Sequence, residues 1–231
     1  MKKLFTAIRK HDLELVKQII EKKPELVNCV AKQPPKKDDG QSPLQVALKT
    51  GNIVIANYLL DMGADVNFIE SETCCNECRM PVIQDAINCA VMCSRWSSYN
   101  KYNHSSRVFS TKERANDALA LLKRIIALGA DINAKSSFGD DCLGRFARQA
   151  DLILPKLLEY VKDDPESYYR EFTEEVHEDL RCVLQTLKDA GADINYIHHG
   201  YSVREEFSKR TVSILFDEVF GRDLEKEVET K

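Results

Sequence analysis

The side chains best suited to covalent or metal chemistry in this chain are its eight cysteines and five histidines. Cys75-x2-Cys78 and Cys89-x3-Cys93 stand ten residues apart, a spacing similar to that of four-thiolate zinc sites. Cys89 and Cys93 also fall four apart on a predicted helix, where cysteine serves as a small buried hydrophobe. Cys74, directly before Cys75, fits no single ligand spacing. The expected state is free thiols, with no metal and no cofactor. The sequence holds no GxSxG, phosphate-binding glycine loop, HExxH or paired-acid motif. His198-His199 lies at a predicted hairpin and His177 on a charged helix face, so both read as solvated side chains rather than general bases. No enzymatic activity is expected.

Non-covalent recognition is better served. Residues 94–112 carry Arg95, Lys101, Arg107 and Lys112 with no acidic residue, in a chain of net charge −4. Trp96, Tyr99, Tyr102, His104 and Phe109 are interleaved among serines and asparagines. Tyr, Trp and Arg join a large contact area to a polar end, which is what binding hot spots require. Arg95, Trp96, Tyr99, Tyr102, His104 and Arg107 are therefore the expected contacts with a protein partner. Two competing readings stay open. The aromatics could cover the helical hairpin that carries them, with the charges simply solvated. The basic segment could also pair with an acidic one between Lys156 and Asp179, which holds Glu159, Asp163, Asp164, Glu166, Glu171, Glu174, Glu175 and Glu178. An alternative function, nucleic-acid binding or a zinc-dependent module, would use the same basic aromatic segment or the cysteines. The net charge gives no global reason to expect nucleic acid.

The element that must position these residues is clearest at 39–67, DGQSPLQVALKTGNIVIANYLLDMGADVN. Asp39-Gly40 supplies a turn, Ser42 an N-cap and Pro43 a first helical residue. Leu44, Ala47 and Leu48 form one apolar stripe; Ile55, Ala56, Leu59 and Leu60 form a second after the Gly51-Asn52 break. Gly63 closes the second helix. Neither helix is long enough to stand alone, so the unit must stack on others.

This unit resembles the ankyrin repeat, whose TPLHxA signature appears as Ser42-Pro43-Leu44-Gln45-Val46-Ala47 and whose usual exit appears as Gly63-Ala64-Asp65-Val66-Asn67. The resemblance implies an all-α dominated solenoid of helix–turn–helix units joined by hairpin loops. It also implies a protein-interaction scaffold that presents turn tips and inner helix faces as one concave surface.

Five units follow, at about 1–37, 38–70, 71–136, 137–198 and 199–221, with a charged tail at 222–231 that reads as frayed. Together they read as one array over 1–231. The first lacks the turn signature, as an N-terminal cap would. The third and fourth end in Gly129-Ala130-Asp131-Ile132-Asn133 and Gly191-Ala192-Asp193-Ile194-Asn195, each delayed by roughly 27 residues where a few would serve. The added residues read as extensions of the helical hairpins. In the fourth unit the reading places a turn at Asp163-Asp164-Pro165 and a stripe of Phe172, Val176, Leu180, Val183, Leu184 and Leu187. Phe146 takes the place of Ala47 there, so the helix contact must be remodelled. The last unit reads as one helix after Val203. No apolar run spans a bilayer, and Met1-Lys2-Lys3-Leu4-Phe5 lacks a signal-peptide core. Free thiols without an export signal point to an intracellular, cytoplasmic monomer.

Overall fold

The computed structural model describes residues 1–156 and 169–222. The helix-rich chain forms two compact units, one of Met1–Ala90 with Asn116–Cys142, the other of Val91–Ala115 with the described residues from Leu143 onward.

The first unit opens with two helical pairs, α1 (Lys2–Arg9) with α2 (Leu13–Lys22) and α3 (Pro43–Lys49) with α4 (Ile53–Asp61). Their starts are fixed by short polar side chains. Asp12 accepts from the Leu15 N–H, and Asn52 accepts from the Ile55 N–H, each at 3.0 Å. Ser42 and Gln45 form a reciprocal capping box at α3. The two expected stripes, Leu44, Ala47 and Leu48, and Ile55, Ala56, Leu59 and Leu60, are all buried. Gly40 has a φ of +81°, and a Cβ there would collide with the Cys74 side chain. Only glycine serves at that turn.

Within this first unit, two successive exits clasp the turns that follow them. Asn28 donates to the Gly63 carbonyl (3.1 Å) and accepts from the Asp65 N–H (2.8 Å). Asn67 repeats both bonds with Gly129 (3.0 Å) and Asp131 (2.8 Å). Asp65 and Asp131 in turn accept from the N–H groups of Asn67 and Asn133. The Asp and Asn of the GAD(V/I)N exit are therefore an intra-turn acceptor and an inter-turn clasp. Gln45 also reaches forward, donating to the Met80 carbonyl (2.9 Å) and Asp85 (3.0 Å). Gln84, its counterpart, donates to the Asp140 carbonyl at 2.7 Å. These buried amides add to backbone pairing between neighbouring turns, where the Ser71 N–H donates to the Gly40 carbonyl at 3.0 Å and the Ser137 N–H to the Arg79 carbonyl at 2.9 Å.

The chain continues through α5 (Val82–Met92), β1 (Ser97–Asn100), β2 (Ser105–Val108), α6 (Lys112–Ala127) and α7 (Cys142–Asp151). Beyond residue 168 come β3 (Arg170–Glu171), α8 (Glu174–Asp189), β4 (Ile197–His198), β5 (Tyr201–Ser202), α9 (Val203–Glu206) and α10 (Ser213–Phe220). Two expectations need correction. The insertion at 94–112 does not extend a helical hairpin; it is a β-hairpin. Ser97-Ser98-Tyr99-Asn100 and Ser105-Ser106-Arg107-Val108 are poor in helix formers, and serine and asparagine compete for backbone groups. The last unit is not one helix either, because the chain turns between α9 and α10.

In the second unit, α8 buries Val176, Leu180, Val183, Leu184 and Leu187 as the stripe requires. Phe172 lies outside that helix, ahead of the Thr173 N-cap, and meets the His177 ring edge-on at 5.3 Å. Phe146 is fully buried and packs edge-on against Phe216, with ring centroids 6.1 Å apart. That aromatic contact is the remodelling its size demands. The expected turn at Asp163-Asp164-Pro165 lies outside the described residues, as do Glu159, Glu166 and the tail beyond 222.

Candidate functional site: a basic aromatic hairpin

Residues 97–108 fold back on themselves because two asparagines shape the turn. Asn100 accepts from the Tyr102 N–H at 2.9 Å, and Asn103 accepts from the Ser105 N–H at 3.3 Å. His104 between them adopts a left-handed backbone, with φ of 51°. β1 pairs antiparallel with β2, from Ser97 opposite Val108 to Asn100 opposite Ser105. On its other edge β1 pairs with β3, so the order is β2-β1-β3. All three strands belong to the second unit.

The base of this sheet is tied down by charge and stacking. Arg95 donates from Nε and Nη2 to the two carboxylate oxygens of Asp179 at 3.0 and 2.8 Å, and from Nη2 to Glu178 at 2.9 Å. Its backbone N–H also donates to Asp179 at 2.8 Å. The fork-to-carboxylate geometry is the strong form of such a pair. Asp179 first, with Glu178 adding to it, holds the Arg95 guanidinium above its ordinary pKa. Trp96 is 9% exposed. Phe109 lies parallel to it at 3.9 Å, and the Arg170 guanidinium stands over its ring at 4.7 Å. Ser97 and Ser106 both donate to Glu171, at 2.7 and 3.1 Å.

The tip is exposed. Tyr102 is 86% exposed. The Tyr99 hydroxyl and His104 Nδ1 are hydrogen bonded at 2.8 Å; nearer the base, the exposed Arg107 guanidinium rests over Phe109 at 4.8 Å. The Lys101 ammonium lies over the Tyr102 and Tyr169 rings, at 5.1 and 5.4 Å. Tyr169 is first among the causes that raise the Lys101 pKa.

The six singled-out residues thus separate by role. Arg95 and Trp96 face inward and hold the sheet. Tyr99, Tyr102 and His104 are gathered toward its outer end, while Arg107, though exposed, lies opposite Ser98 and over Phe109, nearer the base. The basic and acidic segments do meet, through Glu171, Glu178 and Asp179. Tyr169 and Arg170 were missed by sequence reasoning: they lie in an acidic stretch, and only the strand pairing brings them to β1.

Histidines and cysteines converge less. His177 joins Glu218 at 2.7 Å, and His198-His199 lies at the β4–β5 turn. None of the eight cysteines is in a disulfide, and Cys89, Cys93 and Cys142 are buried. Among the described residues, no three His, Cys, Asp or Glu side chains gather where they could hold a metal ion. No helix among them is long and apolar enough to cross a membrane.

None of the curated proteins matches this chain. Residues 2–73, the first third, match the family model described as ankyrin repeats (3 copies). That segment holds the α1–α2 and α3–α4 pairs, the Ser42–Gln45 capping box and the Asn28 clasp. Over residues 2–73, then, the chain is similar to ankyrin repeats.

Proposed function

We propose that the chain is a recognition scaffold for a protein partner, working without catalysis or a cofactor. The observation that carries this reading is the exposed tip of the 94–112 hairpin. Tyr102, Tyr99 with His104, and Arg107 stand outward on a sheet whose base is fixed by Arg95, Trp96 and Glu171. Aromatic and guanidinium groups on a pre-organised support lose little conformational freedom on binding. A surface role fits Tyr102, whose ring would otherwise be left in water at no structural benefit. The repeats at 2–73 support the same reading, since ankyrin repeats generally mediate protein–protein contacts.

On this reading the five units form one continuous array. Its turn tips and inner helix faces act with the hairpin, in an intracellular monomer whose thiols stay reduced. Affinity capture with the intact chain and with a Tyr102→Ala, Arg107→Ala double variant tests it. At least a tenfold loss of the captured protein, with an unchanged melting temperature, is expected. Equal capture by both forms would remove the hairpin from the interface.

A further inference from the structure

Beside the hairpin tip lies a cleft of about 240 Å³, lined by Ser98, Tyr99, Asn100, Lys101, Tyr102, Tyr169 and Arg170. Its chemistry is unusual for a chain of net charge −4. Among the described residues it contains two cations, three phenol rings and two small polar groups, and no carboxylate. Lys101 faces ring π-surfaces and pairs with no acid among the described residues. Arg170 is spent on the Trp96 ring face, and its buried Nε has no hydrogen-bond acceptor among the described residues. Glu171, adjacent in sequence, accepts from Ser97 and Ser106 instead.

We infer that this cleft binds a carboxylate side chain from an acidic segment of the partner. The inference rests on the recognition reading above and names the chemistry of what is recognised. Three arguments carry it. The volume is below the usual range for small-molecule and cofactor pockets, and suits one side-chain head group. The local charge is positive and meets no counter-ion among the described residues, so an incoming anion gains attraction there. One ammonium and one stacked guanidinium, with phenol O–H donors beside them, offer a carboxylate both charge and hydrogen bonds. Phosphate sites draw on clusters of arginine forks, which this cleft does not have.

The test uses the full chain and three labelled peptides on one Gly-Ser backbone, carrying four Glu, four Gln or four phosphoserines. Binding is followed by fluorescence anisotropy, and amide shifts are mapped by NMR. The Glu peptide is expected to bind, with shifts confined to residues 98–102 and 169–170. The Gln peptide should not bind, and Lys101→Ala should weaken the Glu peptide at least fivefold. Lys101 is exposed, so this variant retains its fold; unchanged melting checks that. Shifts scattered over other basic residues, equal binding by Lys101→Ala, or selection of the phosphopeptide would each overturn the inference. These failures are separable from failure of the scaffold reading. If Tyr102→Ala, Arg107→Ala abolishes capture while Lys101→Ala and the Glu peptide change nothing, the hairpin binds and the cleft does not.

Discussion

At the scale of single residues, the hydrogen bonds made by Asp39 show how one side chain can hold a loop in place. Its carboxylate accepts from the Cys75 N–H at 2.9 Å and from the Gln33 backbone and side chain at 3.1 and 3.3 Å. It thereby joins the loop before α3 to the loop before α5. The Cys75 N–H, foremost, holds the Asp39 carboxyl below its ordinary pKa, and Gln33 adds to that. A depressed carboxylate pKa stabilises the fold at pH values above the unfolded value of about 3.9. That contribution is lost as pH falls through the lower folded value. Thermal melts across this range should therefore show Asp39→Asn melting below the parent chain at neutral pH. The gap should close as the solution is acidified below about pH 4. A gap that stays constant down to the acid limit would mean that the ionised form is not what joins the loops.

Elements differ in how far their sequence announced them. The α3–α4 pair was fully legible, because cap, stripe and exit all agree over 39–67 and the two helices bury the faces their periodicity marks. Leu59 is completely buried on the α4 stripe, so Leu59→Ala should cost about 2–5 kcal/mol. A chemical denaturation midpoint that does not move would contradict the packing. The 94–112 element was legible in composition but not in form. Its residue types marked a contact surface, yet nothing local specified that 170–171, more than sixty residues on, would supply the third strand. Strand pairing of that kind is set by tertiary partners, and a two-residue strand leaves no periodic signal. The same limit explains Trp96. Its type suggests an anchor for a partner, but its burial depends on Phe109 and Arg170, which arrive from either side through the sheet.

For the molecule as a whole, repetition and departure from it have different uses. The repeated parts are self-contained: Asn28 and Asn67 clasp the turns that follow, and Gln45 and Gln84 bridge forward in the same way. This periodic bonding is what lets short helices that are unstable alone fold together. The departures gather a different chemistry, with opposite charges consumed at the base of the hairpin and aromatic and basic groups left at its tip. The central claim is that base and tip have separate jobs. The most direct measurement is melting temperature and partner capture on the same two variants, Trp96→Ala and Tyr102→Ala. Trp96→Ala removes a buried stacked ring and should cost about 3–5 kcal/mol, lowering the melting temperature by several degrees. Tyr102→Ala should leave melting within a degree or so of the parent chain and reduce capture by tenfold or more. The account is contradicted if Tyr102→Ala melts early while capture persists, or if Trp96→Ala melts with the parent chain.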